Sequence, residues 1–252
     1  MFARTIPWLL TVLVASVTFS TPATAQSTYA TIRSVHFDVR YMPGVPDAEA
    51  KRVLEFLQSE YDTLRNRLGL EPKAKLEVRI YDSPARFRSE INMARDVLPA
   101  MYVRGILHVL EPMPAEAFGK VMRYQLSRVF LEPAAQFSCP VWLREAFAVN
   151  YSGRMVDLSP PGSVVVASFA DLSQDLEEAE TPVERNDIDF VLRRTMQYFV
   201  QKYGEPKADS VFKEFTTTRT IENVFKKVFG EDFQNIEKDW AKFVAIKPRK
   251  AK

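Results

Sequence analysis

The chain has 252 residues, with 34 Lys and Arg against 32 Asp and Glu, two histidines and one cysteine. So even a charge balance gives no general pull toward nucleic acid. A lone cysteine excludes an internal disulfide, leaving stability to packing in any compartment.

Met1-Phe2-Ala3-Arg4 is a positive start, followed by an apolar run from Trp8 to Phe19. That run is shorter than the roughly 20 residues needed to span a bilayer. Ala23 and Ala25 supply the small residues that a signal peptidase reads. Residues 1–25 therefore read as a cleavable signal peptide, cut before Gln26, with an uncleaved anchor as the alternative. Loss of Arg4 leaves 33 basic residues against 32 acidic ones in a mature chain of about 227 residues, a size for one large domain or two closely packed lobes. No second stretch is long enough to cross a membrane, so an exported chain, periplasmic or secreted, without a transmembrane segment is expected.

Residues 32–41 alternate as a half-buried strand does, with Val35, Phe37, Val39 and Tyr41 on one face. Residues 47–68 place Val53, Leu54, Leu57, Tyr61, Leu64 and Leu68 at helical spacing, and Gly69 stops the helix. A second strand covers 76–81. Pro84 then opens a short helix toward Met93 that Ser83 is positioned to cap. Residues 101–110 form a hairpin turning at Arg104-Gly105. The pattern becomes helical over 116–131, with Pro133 expected as a stop, and again from Pro140 to Tyr151, with Gly153 as the end. Cys139 lies in an apolar stretch and reads as a buried inert thiol. Residues 157–187, with Ser159-Pro160-Pro161-Gly162 and an acidic run at Asp175, Glu177, Glu178 and Glu180, read as a long surface crossing. Helices over 187–203, 206–216 and 220–244, the last interrupted at Gly230, complete the chain before a basic disordered tail at 247–252. The expected fold class is α+β: a small N-terminal mixed sheet with packed helices in residues 26–114, then a mainly helical half in 115–246.

Several chemistries are excluded by the residues themselves. His36 and His108 both fall in expected strands, which leaves no histidine for a hydrolase triad, and no Gly-x-Ser-x-Gly elbow is present. There is no phosphate-binding Gly-Lys loop, no dinucleotide fingerprint, and no Cys or His pair at metal spacing.

The order of segments nevertheless resembles the peptidase MA-like family of gluzincin-type zinc metallopeptidases. The matching pieces are His36-Phe37-Asp38-Val39-Arg40-Tyr41 with a helix after it, Ile80-Tyr81-Asp82-Ser83, and the Gly105-Ile106 hairpin. The most specific is Pro140-Val141-Trp142-Leu143-Arg144-Glu145-Ala146-Phe147-Ala148, similar to the family's Pro-x-Trp-Leu-x-Glu-Gly-x-Ala segment. Tyr198 to Gly204, and Phe229-Gly230 through Trp240, are similar to its C-terminal helices. The resemblance implies a zincin-like fold and puts the His-Glu-x-x-His motif at Tyr124-Gln125-Leu126-Ser127-Arg128. In an active enzyme the two imidazoles hold zinc, the Glu between them is the general base, and a downstream Glu completes the site. Only the downstream position, Glu145, keeps its type.

Gln cannot take up a proton, Tyr is no substitute for imidazole in such a site, and Arg is a fixed cation that repels a dication. The resemblance therefore implies no catalytic residue and no zinc, with Tyr124, Gln125, Arg128 and Glu145 as vestigial positions. An Arg128–Glu145 ion pair, with Tyr124 and Gln125 bonded around it, is expected to replace the metal as a cross-link between the two central helices. The alternative is that these are solvated residues on ordinary amphipathic helices. His108 and Glu111 are candidates for the rim of a cleft, with a structural histidine as the other reading of His108. The functional expectation is an exported non-catalytic pseudopeptidase that binds a peptide or an envelope protein. The alternatives are a hydrolase with a non-standard site and a structural envelope component.

Overall fold

The computed structural model describes residues 29–92, 98–136, 138–153, 166–179 and 181–245. The expected signal peptide at residues 1–25 and the expected basic tail at 247–252 lie outside them. Five strands, β1 (Ala30–Arg33), β2 (Phe37–Tyr41), β3 (Leu76–Tyr81), β4 (Ala100–Val103) and β5 (Ile106–Leu110), form one mixed sheet in the order β1-β2-β3-β5-β4. β2, β3 and β5 run parallel, while β1 and β4 are antiparallel to their neighbours at the two edges.

The parallel step from β2 to β3 is carried by α1 (Asp47–Leu68). Its charges suit the helix dipole, with Asp47 and Glu49 in the first turn and Arg65 and Arg67 in the last. Gly69 ends it in the left-handed conformation at φ 60°, where a side chain would be strained. Buried Val53, Leu57 and Leu64 on α1 meet the sheet face made of Phe37, Val39, Leu76, Val78, Ile80, Leu107 and Val109. Each such side chain contributes roughly 1.5–3 kcal/mol on leaving water.

α2 (Pro84–Ile91) lies against β3 and β5. Ser83 stands at its N-cap position but makes no side-chain cap bond. The helical half comprises α3 (Ala115–Ala135), α4 (Val141–Ser152), α5 (Phe169–Glu178), α6 (Pro182–Tyr203), α7 (Glu205–Glu214), α8 (Ile221–Phe229) and α9 (Phe233–Val244). Among the described residues the molecule is thus a five-stranded mixed sheet with nine helices, mainly helical, and one apolar cluster runs from Phe37 to Val244. No helix among them is long and apolar enough to cross a membrane.

Three expectations are corrected. The strand at 32–41 is two strands, because Ser34 folds the chain back: its N–H donates to the Phe37 carbonyl at 2.9 Å and its Oγ accepts from the Phe37 N–H at 3.2 Å. Val35 in this turn is 79% exposed, not in the core. Pro133 does not stop α3. Its ring removes one hydrogen bond, but buried Leu131 and Ala134 hold the last turn in place. Finally, the crossing at 157–187 contains α5, capped by Ser168 Oγ accepting from the Asp171 N–H, and the start of α6, which opens with a Thr181/Glu184 capping box. Phe169, Leu172 and Leu176 are buried at three- and four-residue spacing, so Asp175, Glu177 and Glu178 are simply the wet face of a helix. The loop expectation at residues 157–165 lies outside the described residues.

Candidate functional site

α3 and α4 pack along one another and bring Tyr124 and Arg128 to Glu145. Tyr124 and Arg128 are four residues apart and so share one face of α3. The Tyr124 hydroxyl donates to Glu145 Oε2 at 2.5 Å, and Arg128 Nε lies 3.3 Å from Glu145 Oε1. Both carboxylate oxygens are therefore engaged. The Arg128 guanidinium also sits 5.9 Å from the Tyr124 ring centre and donates to Gln125 Oε1 at 3.4 Å. Gln125 is fully buried and turns toward β4, where Oε1 accepts the Tyr102 N–H at 2.9 Å.

The side chain of Glu145 keeps 14% of its exposure and that of Arg128 keeps 35%. The ion pair expected between the two helices is thus present, half-buried rather than deeply buried. Its chemistry does not suit zinc. The carboxylate already accepts two donors, one of them a permanent cation, and a dication would have to displace the guanidinium at like-charge cost. Among the described residues no group of three or more His, Cys, Asp or Glu side chains could hold a metal ion.

The two rim candidates are placed elsewhere. Strand register puts His108 beside Arg79, on the sheet face opposite Val78, Leu107 and α3. His108 is 4% exposed, and its Nδ1 lies 2.8 Å from the Tyr81 hydroxyl with the two rings stacked. Burial, and secondarily the Arg79 charge, push its pKa down to about 4. It is a neutral structural histidine on the far side of the sheet from Glu145. Glu111 is also buried, near the start of α3. It accepts from Arg52 Nη2 at 2.9 Å and from the Met113 N–H at 2.8 Å. Burial raises its pKa, and these two donors oppose the shift.

Sequence reasoning missed two further clusters. Buried Glu60 on α1 accepts from Arg123 Nε of α3 at 2.9 Å and from the Tyr151 hydroxyl of α4 at 2.7 Å, so one carboxylate joins three helices. The spacing of Glu49, Arg52, Glu60 and Arg67 along α1 marks a polar stripe, but not its partners. At the other end of α3 a cavity of about 210 Å³ opens between Lys73, Lys75, Tyr102, Glu132 and Gln136. Inside it the Tyr102 hydroxyl donates to Glu132 Oε2 at 2.5 Å.

No protein-family model matches this chain, and no curated protein matches it significantly.

Proposed function

We propose that this is an exported, non-catalytic protein on a zincin-like frame, which acts by binding a peptide or an envelope protein. One observation carries the reading. The side chains at the positions that the gluzincin resemblance assigns to two imidazoles, a general base and a third ligand are Tyr124, Gln125, Arg128 and Glu145, and they are bonded to each other. The cross-link that a metal would make between the two helices is made by a hydroxyl and a guanidinium on one carboxylate. Nothing in this set can activate water: Gln125 has no basic group, and Glu145 is committed on both oxygens.

The reading is tested by restoring the motif. Tyr124→His, Gln125→Glu and Arg128→His together should let the protein take up one zinc per chain, through the two new imidazoles and Glu145, while the wild type purified in parallel carries none. Stoichiometric zinc in the wild type, or peptide cleavage that a chelator abolishes, would sink the proposal. Failure of the folded triple variant to bind zinc would remove the zincin-like frame. Pull-down from the native envelope then identifies the partner.

A second reading, a structural envelope component, is favoured by the burial of Gln125 and the double engagement of Glu145, since the chain's own side chains occupy the space around these two residues. It predicts that replacing residues 157–165 with a Gly-Ser linker leaves partner binding unchanged. The replacement must stop before Phe169, whose ring is in the core.

A further inference from the structure

β4 is an edge strand, and among the described residues no strand pairs with its outer side. Which of its amides point outward follows from the hairpin. Arg104 and Gly105 both have positive φ, at 52° and 81°, the signature of a two-residue primed turn. Val103 and Ile106 next to that turn exchange hydrogen bonds, and pairs alternate from there. Met101 with His108, and Pro99 with Leu110, are the next bonded pairs, in agreement with the Leu110 N–H donating to the Pro99 carbonyl at 2.8 Å. Tyr102, between them, directs its N–H and C=O away from β5.

Exposed edges invite strand pairing, and proteins usually blunt them with charge, proline or a covering segment. β4 reads Ala100-Met101-Tyr102-Val103, and between the flanking Pro99 and Arg104 it carries neither charge nor proline at the outward-facing Tyr102. The opposite edge, β1, ends in Arg33. At β4 the outward Tyr102 N–H is instead taken by Gln125 Oε1, at 2.9 Å.

The state of Gln125 points the same way. The residue is 0% exposed, and its Nε2 is buried without a partner among the described residues. An orphaned donor is destabilising, so an apolar side chain of equal size would suit the position better if packing were its task. The other half of the carboxamide accounts for the glutamine, since its oxygen closes an amide that would otherwise face outward.

We infer that Gln125 is an edge guard, a side-chain amide that occupies the place of a peptide group on β4 and keeps this strand from pairing with β4 of a second copy of the chain. The inference is independent of any ligand and stands whether or not the protein binds a peptide.

Two variants of the full mature chain test it. Gln125→Met keeps the volume and removes the acceptor, while Gln125→Glu keeps an acceptor for Tyr102 and remains beside Arg128. Amide hydrogen exchange at Tyr102 and His108, and mass by light scattering over a range of concentrations, are the readouts. In Gln125→Met the Tyr102 amide should exchange about tenfold faster, as expected for loss of one hydrogen bond. The His108 amide, inside the hairpin, should stay as in the wild type, and the variant should form a dimer with rising concentration. Gln125→Glu should match the wild type in both readouts. An unchanged Tyr102 rate in Gln125→Met, equal acceleration at His108, or an assembly state identical to the wild type at every concentration would each overturn the inference.

Discussion

At the residue scale, the Glu145 cluster sets out a thermodynamic asymmetry. Glu145→Ala leaves Arg128 and the Tyr124 hydroxyl without their shared acceptor. A deeply buried pair broken in this way costs about 3–5 kcal/mol. Arg128 keeps over a third of its side-chain exposure, so water recovers part of that, and a loss of about 1–3 kcal/mol is expected. The double change Arg128→Met with Glu145→Leu, which removes both charges and retains volume, should lower the melting temperature much less. Equal losses from the single and double changes would exclude the cross-link. His108 gives a second prediction. Its pKa in the fold, about 4, lies below the ordinary histidine value of 6.5. Between these values the unfolded chain binds a proton that the native state does not, so stability is full above about pH 6.5 and declines as pH falls toward 4. The decline from this group is on the order of 2–3 kcal/mol. Arg79 faces His108 from the adjacent strand and Glu77 acts weakly in the opposite sense, so desolvation dominates. In His108→Gln, which can still accept from Tyr81, melting curves between pH 4 and 7 should show a flatter pH dependence than the wild type.

At the element scale, α5 behaves as a plug rather than a loop. Its first residue, Phe169, stacks on Trp142 of α4 with centroids 4.1 Å apart, and on Trp240 of α9 at 4.2 Å. Phe169→Ala should cost about 3–5 kcal/mol by urea denaturation, the range for losing a buried aromatic side chain. A cost under about 1 kcal/mol would mean that α5 is an appendage. The three-helix tie at Glu60 argues similarly for α1, α3 and α4 acting as one unit. Arg67 of α1 extends it to α7 through buried Asp209, at 2.6 Å, and lies over the rings of Phe147 and Tyr151.

At the scale of the whole molecule, sheet and helices share one core, so a cut near residue 114 would leave both pieces with open apolar faces. Neither piece expressed alone should unfold cooperatively, and calorimetry of the intact chain should show a single transition. The proposal of export predicts that the protein recovered from cells begins at Gln26, and a cytoplasmic full-length chain would contradict it.

The one-dimensional rhythm of the chain already determined most helices and strands, with their glycine stops at Gly69, Gly153 and Gly230, because burial of one face imposes a period that local sequence records. It also determined the chemistry lacking at residues 124–128, since an imidazole or a carboxylate is present or absent by identity alone. Tertiary structure decided what period cannot carry. Register, set by pairing between distant strands, put His108 on the far face of the sheet. Packing against Trp142 and Trp240 made a helix of an acidic stretch that resembled a loop. The fold alone turned the Gln125 amide toward the outward N–H of Tyr102, because a hydrogen bond across 23 residues depends on where two elements meet.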